Sequence, residues 1–452
     1  MKLIRSVFLW IVFLAALNIQ AWQNVITVSP EWNDSSVPCF AFDGTGNGIL
    51  EWRLFDGNYT RAQVSRYTEQ DTSWSSTQTI SPVGQAREPK LVVNNTGNAV
   101  ALWRLLSDSN FAVQASFYTA STQNWQTPFY LPFISDSLYN AEIPNIAFND
   151  ANKAVACWQL YDGTTWVVQA SAGDASQNWT TPAKVSKTGF YGFSPEIVMT
   201  DDVVPTVSIV FYGIMELVEK DCVQYVRSTD GGSTWSAPIA LSTPGVSAYA
   251  PKIAIDGAGN LIVVWQEVVP DGSWSIQARK FESGSWLNIK TLYAGIVLNA
   301  SRCPNVCVAM NDNGQAVVAW FTTHASRQKV QAVLYNGSDW NSWSPQCVDI
   351  SGTFEPVNKM DWPCQNVAID STGNAGVVWQ QYDSVGNSLI HVSLYTVADY
   401  SWKESILSET GQDATLPYIA FSTQGKACVT WKRTNGKKLG NPINQIQICL
   451  SE

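Results

Sequence analysis

The 452-residue chain holds only two histidines, His324 and His391. That scarcity excludes a histidine-rich metal centre and any mechanism that needs several imidazoles. Charged residues make up just 14% of the chain, and its 27 Lys and Arg are outnumbered by 37 Asp and Glu. No basic excess is available to neutralise phosphates, so no nucleic-acid partner is expected. After residue 21 no apolar run approaches the roughly eighteen residues of a membrane helix, so no membrane span is expected. No long stretch carries the 3.6-residue apolar period of a helix either. What the chain has in abundance is aromatic side chains, with 21 Trp, 16 Tyr and 17 Phe. That much apolar surface offsets chain entropy and excludes a disordered chain.

The first 21 residues read as a signal peptide. Lys2 and Arg5 precede an unbroken apolar run of eleven, Val7 to Leu17, with a small Ala21 at the cleavage position. Their removal lowers the net charge from −10 to −12 and predicts an exported protein, secreted or periplasmic or on the cell surface. Residues 22–452 form one domain. Nine cysteines lie in it, an odd number that leaves at least one thiol unpaired. Cys157 and Cys428 sit in apolar runs as small hydrophobes, and one to three disulfides are expected among the others. Cys303 and Cys307 have no second Cys/His pair, so no metal site and no cofactor is expected.

The chain is a repeat. An aromatic residue closing an alternating apolar run recurs at Trp52, Trp103, Trp158, Phe211, Trp265, Trp320, Trp379 and Trp431, spaced by 51 to 59 residues. A proline precedes each by 14 or 16 residues. A glutamine follows each by 11 to 16, with His391 replacing it once. Within a unit, short runs rich in Val, Ile and aromatics alternate with Gly, Asn and Asp turns, as in PKIAID, LIVVWQE, SIQARKF and SWLNIKTLY. Such runs are antiparallel strands joined by hairpins. Units of about fifty residues with four strands each are propeller blades. The all-β expectation is therefore an eight-bladed β-propeller, with seven blades as the alternative. The last unit, 417–452, lacks a fourth strand, and residues 22–29 supply one, closing the circle.

In the fourth unit Ser228, Asp230, Gly232, Thr234 and Trp235 match the Ser-x-Asp-x-Gly-x-Thr-Trp pattern. This octapeptide resembles the Asp-box, or bacterial-neuraminidase repeat, of sialidase-like propellers. The match is complete once. The resemblance implies the fold, places the box between third and fourth strands, and puts function on the opposite face. It does not extend to catalysis: the Arg-Ile-Pro tripeptide of sialidases is missing, and no paired carboxylates or nucleophile elbow is recognisable.

On the face opposite the box, the inter-blade loops 131–143, 293–303 and 350–362 carry Tyr139, Arg302, Glu355 and Trp362, suited to stacking on sugars or to protein contact. The residue after the marker aromatic is Arg53 in unit one, Arg104 in unit two and Lys432 in unit eight, and closure makes these units neighbours. With Arg87 these cations either line the seams, pairing with Glu51 or Glu88, or form an anion-binding arc. The residues favour a monomeric, exported, non-enzymatic module that binds a glycan or a cell-surface protein. A glycosidase and a plain structural scaffold are the alternatives.

Overall fold

The computed structural model describes residues 21–31, 34–107, 110–132, 140–215, 220–296, 305–324, 327–341, 345, 347–351, 365–438 and 441–451. Its strands form eight antiparallel sheets. Blade one shows the plan. Asp34–Phe42, Gly48–Phe55 and Thr60–Thr68 pair in sequence, and the short Ser73–Trp74 and Gln78–Thr79 complete the outer edge. The first strands of the next blades are Gln85–Val93, Ala141–Phe148, Phe193–Met199, Ala248–Ile255, Cys307–Met310, Gln365–Ile369 and Ala414–Phe421. Each packs on the next, and Ala414–Phe421 packs back on Asp34–Phe42, so the eight innermost strands close a circle. The molecule is an eight-bladed β-propeller.

Closure comes from the N-terminal segment. Ile26–Thr27 is the fourth strand of the last blade, with Ile26 opposite Ile448 and Thr27 opposite Gln447. Gln23 N donates to Leu450 O at 2.8 Å and Val28 N to Ile446 O at 2.9 Å. No sheet edge is left open at the seam where the circle would otherwise part.

The repeated aromatics are the seam packing. All seven marker tryptophans and Phe211 are at most 1% exposed, and truncating one such side chain costs about 3–5 kcal/mol. The repeated glutamines are their cross-strand partners: Trp52 lies opposite Gln63, Trp103 opposite Gln114 and Trp431 opposite Gln447. In two blades the indole N–H donates to the glutamine oxygen at 3.0 Å. His391 takes this place opposite Trp379, stacks on it at 5.6 Å and bonds Glu404 at 2.8 Å. It is a buried packing residue.

The prolines mark a bulge. In six first strands the register slips by one residue at Val37–Pro38, Glu88–Pro89, Ile143–Pro144, Ser194–Pro195, Ala250–Pro251 and Leu416–Pro417. Proline has no N–H for the ladder, so one extra residue is accommodated there. The residue before each proline has φ between 47° and 56°. Blade six departs from the proline spacing. There Asn305, with φ 49°, holds the strained position one residue after Pro304, and asparagine tolerates that conformation without a following proline. Pro304 and Pro363 lie outside the described residues.

Six of the nine cysteines take part in no disulfide. Cys39, Cys157, Cys222, Cys347, Cys428 and Cys449 are thiols; Cys303 and Cys364 lie outside the described residues. Cys157 and Cys428 are fully buried in apolar clusters. Cys428 and Cys449 occupy adjacent strands but pack into different clusters. No helix of the described residues is long and apolar enough to cross a membrane.

Candidate functional site

The turn Ser228–Trp235 joins the third strand of blade four to its fourth and is built from saturated bonds. Asp230 Oδ1 accepts from Ser228 Oγ at 2.7 Å, Thr234 N at 2.9 Å and Ser233 N at 3.1 Å, and Oδ2 accepts from Thr234 Oγ1 at 2.5 Å. These bonds, those from Thr234 foremost, pull the carboxyl down to about 2. Gly232 has φ 93°, and a Cβ there would meet Ala172 Cβ at 2.9 Å. Trp235 packs into the seam with blade three. The first-to-second strand turns are similar devices: Asp256 Oδ1 accepts from Ala258 N and Asn260 N at 3.0 and 2.8 Å. This face is a fastening.

The opposite rim is different. At the bulge each first strand places one residue across from the residue that follows the marker aromatic. In blades one to five these pairs are Ser36 with Arg53, Arg87 with Arg104, Glu142 with Gln159, Phe193 with Tyr212 and Tyr249 with Gln266. Thr415 with Lys432 is the equivalent pair in blade eight. Register therefore puts Arg53, Arg87, Arg104 and Lys432 at one level of one face.

Side-chain contacts make blades one to five a continuous belt. Arg53 donates from Nε to Ser36 Oγ at 3.0 Å. Burial, and to a lesser extent the neighbouring Arg87 charge, lowers its pKa. Arg104 is committed: Nη2 meets Glu88 Oε1 at 2.8 Å and Nη1 meets Glu142 Oε1 at 3.5 Å. Glu88 also accepts from Ile143 N, and Glu142 from Gln159. Arg87 is not committed. Its guanidinium lies 5.2 Å from the Phe111 ring, whose centroid is 4.3 Å from the Arg104 guanidinium carbon. It is exposed, and it makes no ion pair among the described residues.

Next along the belt come half-buried rings. Phe193 lies 5.7 Å from Tyr212, which lies 5.5 Å from Tyr249, which lies 6.1 Å from Trp274. Trp166 and Tyr191 flank Phe193 at 6.3 and 5.2 Å. Burial, and then the Asp221 carboxylate, pushes the Tyr191 phenol up to about 12. A partly exposed aromatic row can hold a polar ring by its face, and, on the same rim, a guanidinium with no ion pair among the described residues can hold an acid group by its charge.

Of the other expected residues, Tyr139, Arg302, Glu355 and Trp362 lie outside the described residues. Glu51 does not pair with a cation. It is fully buried, accepts from Cys39 Sγ at 3.7 Å, and is pushed well above the carboxylate range by burial. The aromatic row escaped sequence reasoning. Its one visible signal was Tyr212, standing where other units have glutamine.

No protein-family model matches the chain, and no curated protein matches it. Solved structures do. An ulvan lyase of polysaccharide lyase family PL25, bound to -[GlcA(1-4)Rha3S]-, is 9% identical over 94% of this chain and 95% of its own, with a TM-score of 0.51. The NanB sialidase from Streptococcus pneumoniae is 9% identical over 95% and 94%, with a TM-score of 0.41. The GH93 α-L-arabinofuranosidase of Fusarium graminearum is 12% identical over 70% and 96%, with a TM-score of 0.39. At these identities the likeness is one of fold, that of a β-propeller.

Proposed function

We propose that this chain is an exported glycan-binding propeller that holds acidic saccharides on its bulge-side rim without turning them over. The carrying observation is Arg87, an exposed guanidinium that makes no ion pair among the described residues, on the same rim as Arg53 and Arg104 and separated by blade three from the row from Phe193 to Trp274. The guanidinium fork suits a carboxylate or sulfate, and the rings suit the apolar faces of sugars. The glucuronate-containing saccharide on the ulvan lyase, a protein of the same fold, supports a glycan of this kind. Binding without turnover is favoured by the state of two rim carboxylates among the described residues: Glu88 and Glu142 are tied to Arg104.

The test is a glycan array followed by calorimetry with an acidic oligosaccharide and its neutral counterpart. Wild type binds the acidic ligand, and Arg87→Gln weakens it about tenfold or more while leaving neutral ligands unchanged. Binding weakens as salt rises. Release of reducing ends or unsaturated products from any polysaccharide would replace this reading with catalysis. Equal affinity of wild type and Arg87→Gln for acidic ligands would remove the rim site.

A further inference from the structure

A second polar belt lies deeper, inside the circle of first strands. The position four residues before each first-to-second strand turn carries Cys39, Lys90, Asn145, Glu196 and Lys252 in blades one to five and Tyr418 in blade eight. These side chains are half-exposed or exposed, whereas the residues after them are largely buried, Phe40, Ile146, Ile197 and Ile419 among them. The circle of first strands encloses the space they face. Electrostatics across it agrees with this direction: the charges of Lys252 in blade five and of Lys90 in blade two, which is not a neighbouring blade, both favour the ionised Glu196 of blade four. Two residues further along, six of the eight first strands carry alanine, and Val92 and Val198 complete the set. The axial channel therefore has a polar belt above an apolar collar.

The charges in this belt do not cancel. Glu196 is claimed by Lys252 Nζ and by Asn145 Nδ2, the latter at 2.6 Å. Lys90 forms no hydrogen bond or ion pair among the described residues. Its other carboxyl neighbour, Glu51, lies on the second strand, fully buried against Cys39, and burial pushes its pKa well above the ordinary carboxylate value. The belt thus carries two ammonium groups against one carboxylate, in a chain whose overall charge is −10. An ammonium that faces an enclosed channel without an ion-pair partner of its own among the described residues has its field focused by the channel walls. A point-like ammonium beside amide donors suits a compact, strongly hydrated oxyanion.

We propose that the axial channel is a second binding site, in which Lys90, supported by Lys252 and Asn145, takes a small oxyanion such as sulfate, phosphate or a free carboxylate. It is independent of the rim reading. The experiment is a thermal-unfolding titration with sodium sulfate below about 10 mM, against sodium chloride of equal ionic strength. Wild type gains at least ~2 °C with a saturable curve, as expected for a ligand of the folded state alone. Arg87→Gln gains as much, and Lys90→Met loses the gain. General salting-out is not saturable and acts alike on every variant. Should Lys90→Met fail to fold, Lys90→Gln, which keeps polarity and removes the charge, carries the same expectation. No sulfate-specific gain in wild type, or an undiminished gain in the Lys90 variant, overturns the channel site. A gain lost in Arg87→Gln but kept in the Lys90 variant moves the anion to the rim and overturns the channel site while sustaining the rim.

Discussion

The turn side and the bulge side of this propeller use similar residues to opposite ends. On the turn side Asp230 accepts four hydrogen bonds from its own loop, and Asp256 closes its hairpin in the same way. On the bulge side charges of equal strength are left over: Arg104 has two carboxylates, while Arg87, one strand away, has none among the described residues. Repetition explains the contrast. A turn needed by every blade is built from groups that satisfy each other, and a group that no blade needs is left for something outside the chain. Saturation, more than residue type, separates fastening from function here.

The largest effect expected is on closure. Deleting residues 22–29 removes the bonds from Gln23 and Val28, the Ile26–Thr27 pairing, and the Ser29 hydroxyl that accepts from Ile446 N at 2.8 Å. At about 1 kcal/mol net for each of roughly five bonds, the loss is about 5 kcal/mol. Equilibrium denaturation measures it. A change under about 1 kcal/mol would mean that the circle holds without its N-terminal strand. On the bulge side, Arg104→Gln comes next. It strands Glu88 and Glu142 beside a half-buried site and costs about 2–3 kcal/mol, because a partner is removed and its charges stay.

Asp230→Ala sharpens the other half of the contrast. The residue is only half-buried, so its loss costs only about 1–2 kcal/mol despite four bonds, and glycan binding does not change. Its pH dependence has a definite sign. The folded pKa, about 2, lies below the ordinary 3.8, so its contribution is complete above about pH 4 and fades as pH falls towards 2. Comparing wild type with Asp230→Ala between pH 2 and 6 checks this. A stability difference that grows on acidification would contradict the bonding described.

The circle was legible in the sequence because its two markers are physical partners. Trp103 and Gln114 sit opposite each other on paired strands, and six of the eight blades repeat both. The N-terminal closure was legible for a related reason: the last unit had three strands, and a lone edge needs a fourth. The rim was legible only in part. Arg53, Arg87 and Arg104 could be brought to neighbouring blades by closure, but which of them is spent depends on the bulge that brings Glu88 to Arg104. The row Phe193, Tyr212, Tyr249, Trp274 spans two blades, and its adjacency exists only once blades four and five are packed. The channel belt was hidden for the same reason. Lys90 and Glu196 belong to blades that are not neighbours, and no pairing rule along the chain connects them.

The smallest effect is the sharpest test of the contrast. Arg87→Gln removes a full charge beside two other arginines, yet it breaks no hydrogen bond or ion pair among the described residues. It also relieves the Arg53 guanidinium of a like charge. Surface substitutions of this kind stay within about ±0.5 kcal/mol, so urea denaturation should scarcely distinguish the variant from wild type. The same substitution at Arg104, with the same change of charge and in the same strand pair, should cost several times more. If instead Arg87→Gln destabilises the protein as much as Arg104→Gln does, Arg87 is part of the fastening. The unspent cation on the rim, and the acidic-ligand site built on it, would then be lost together.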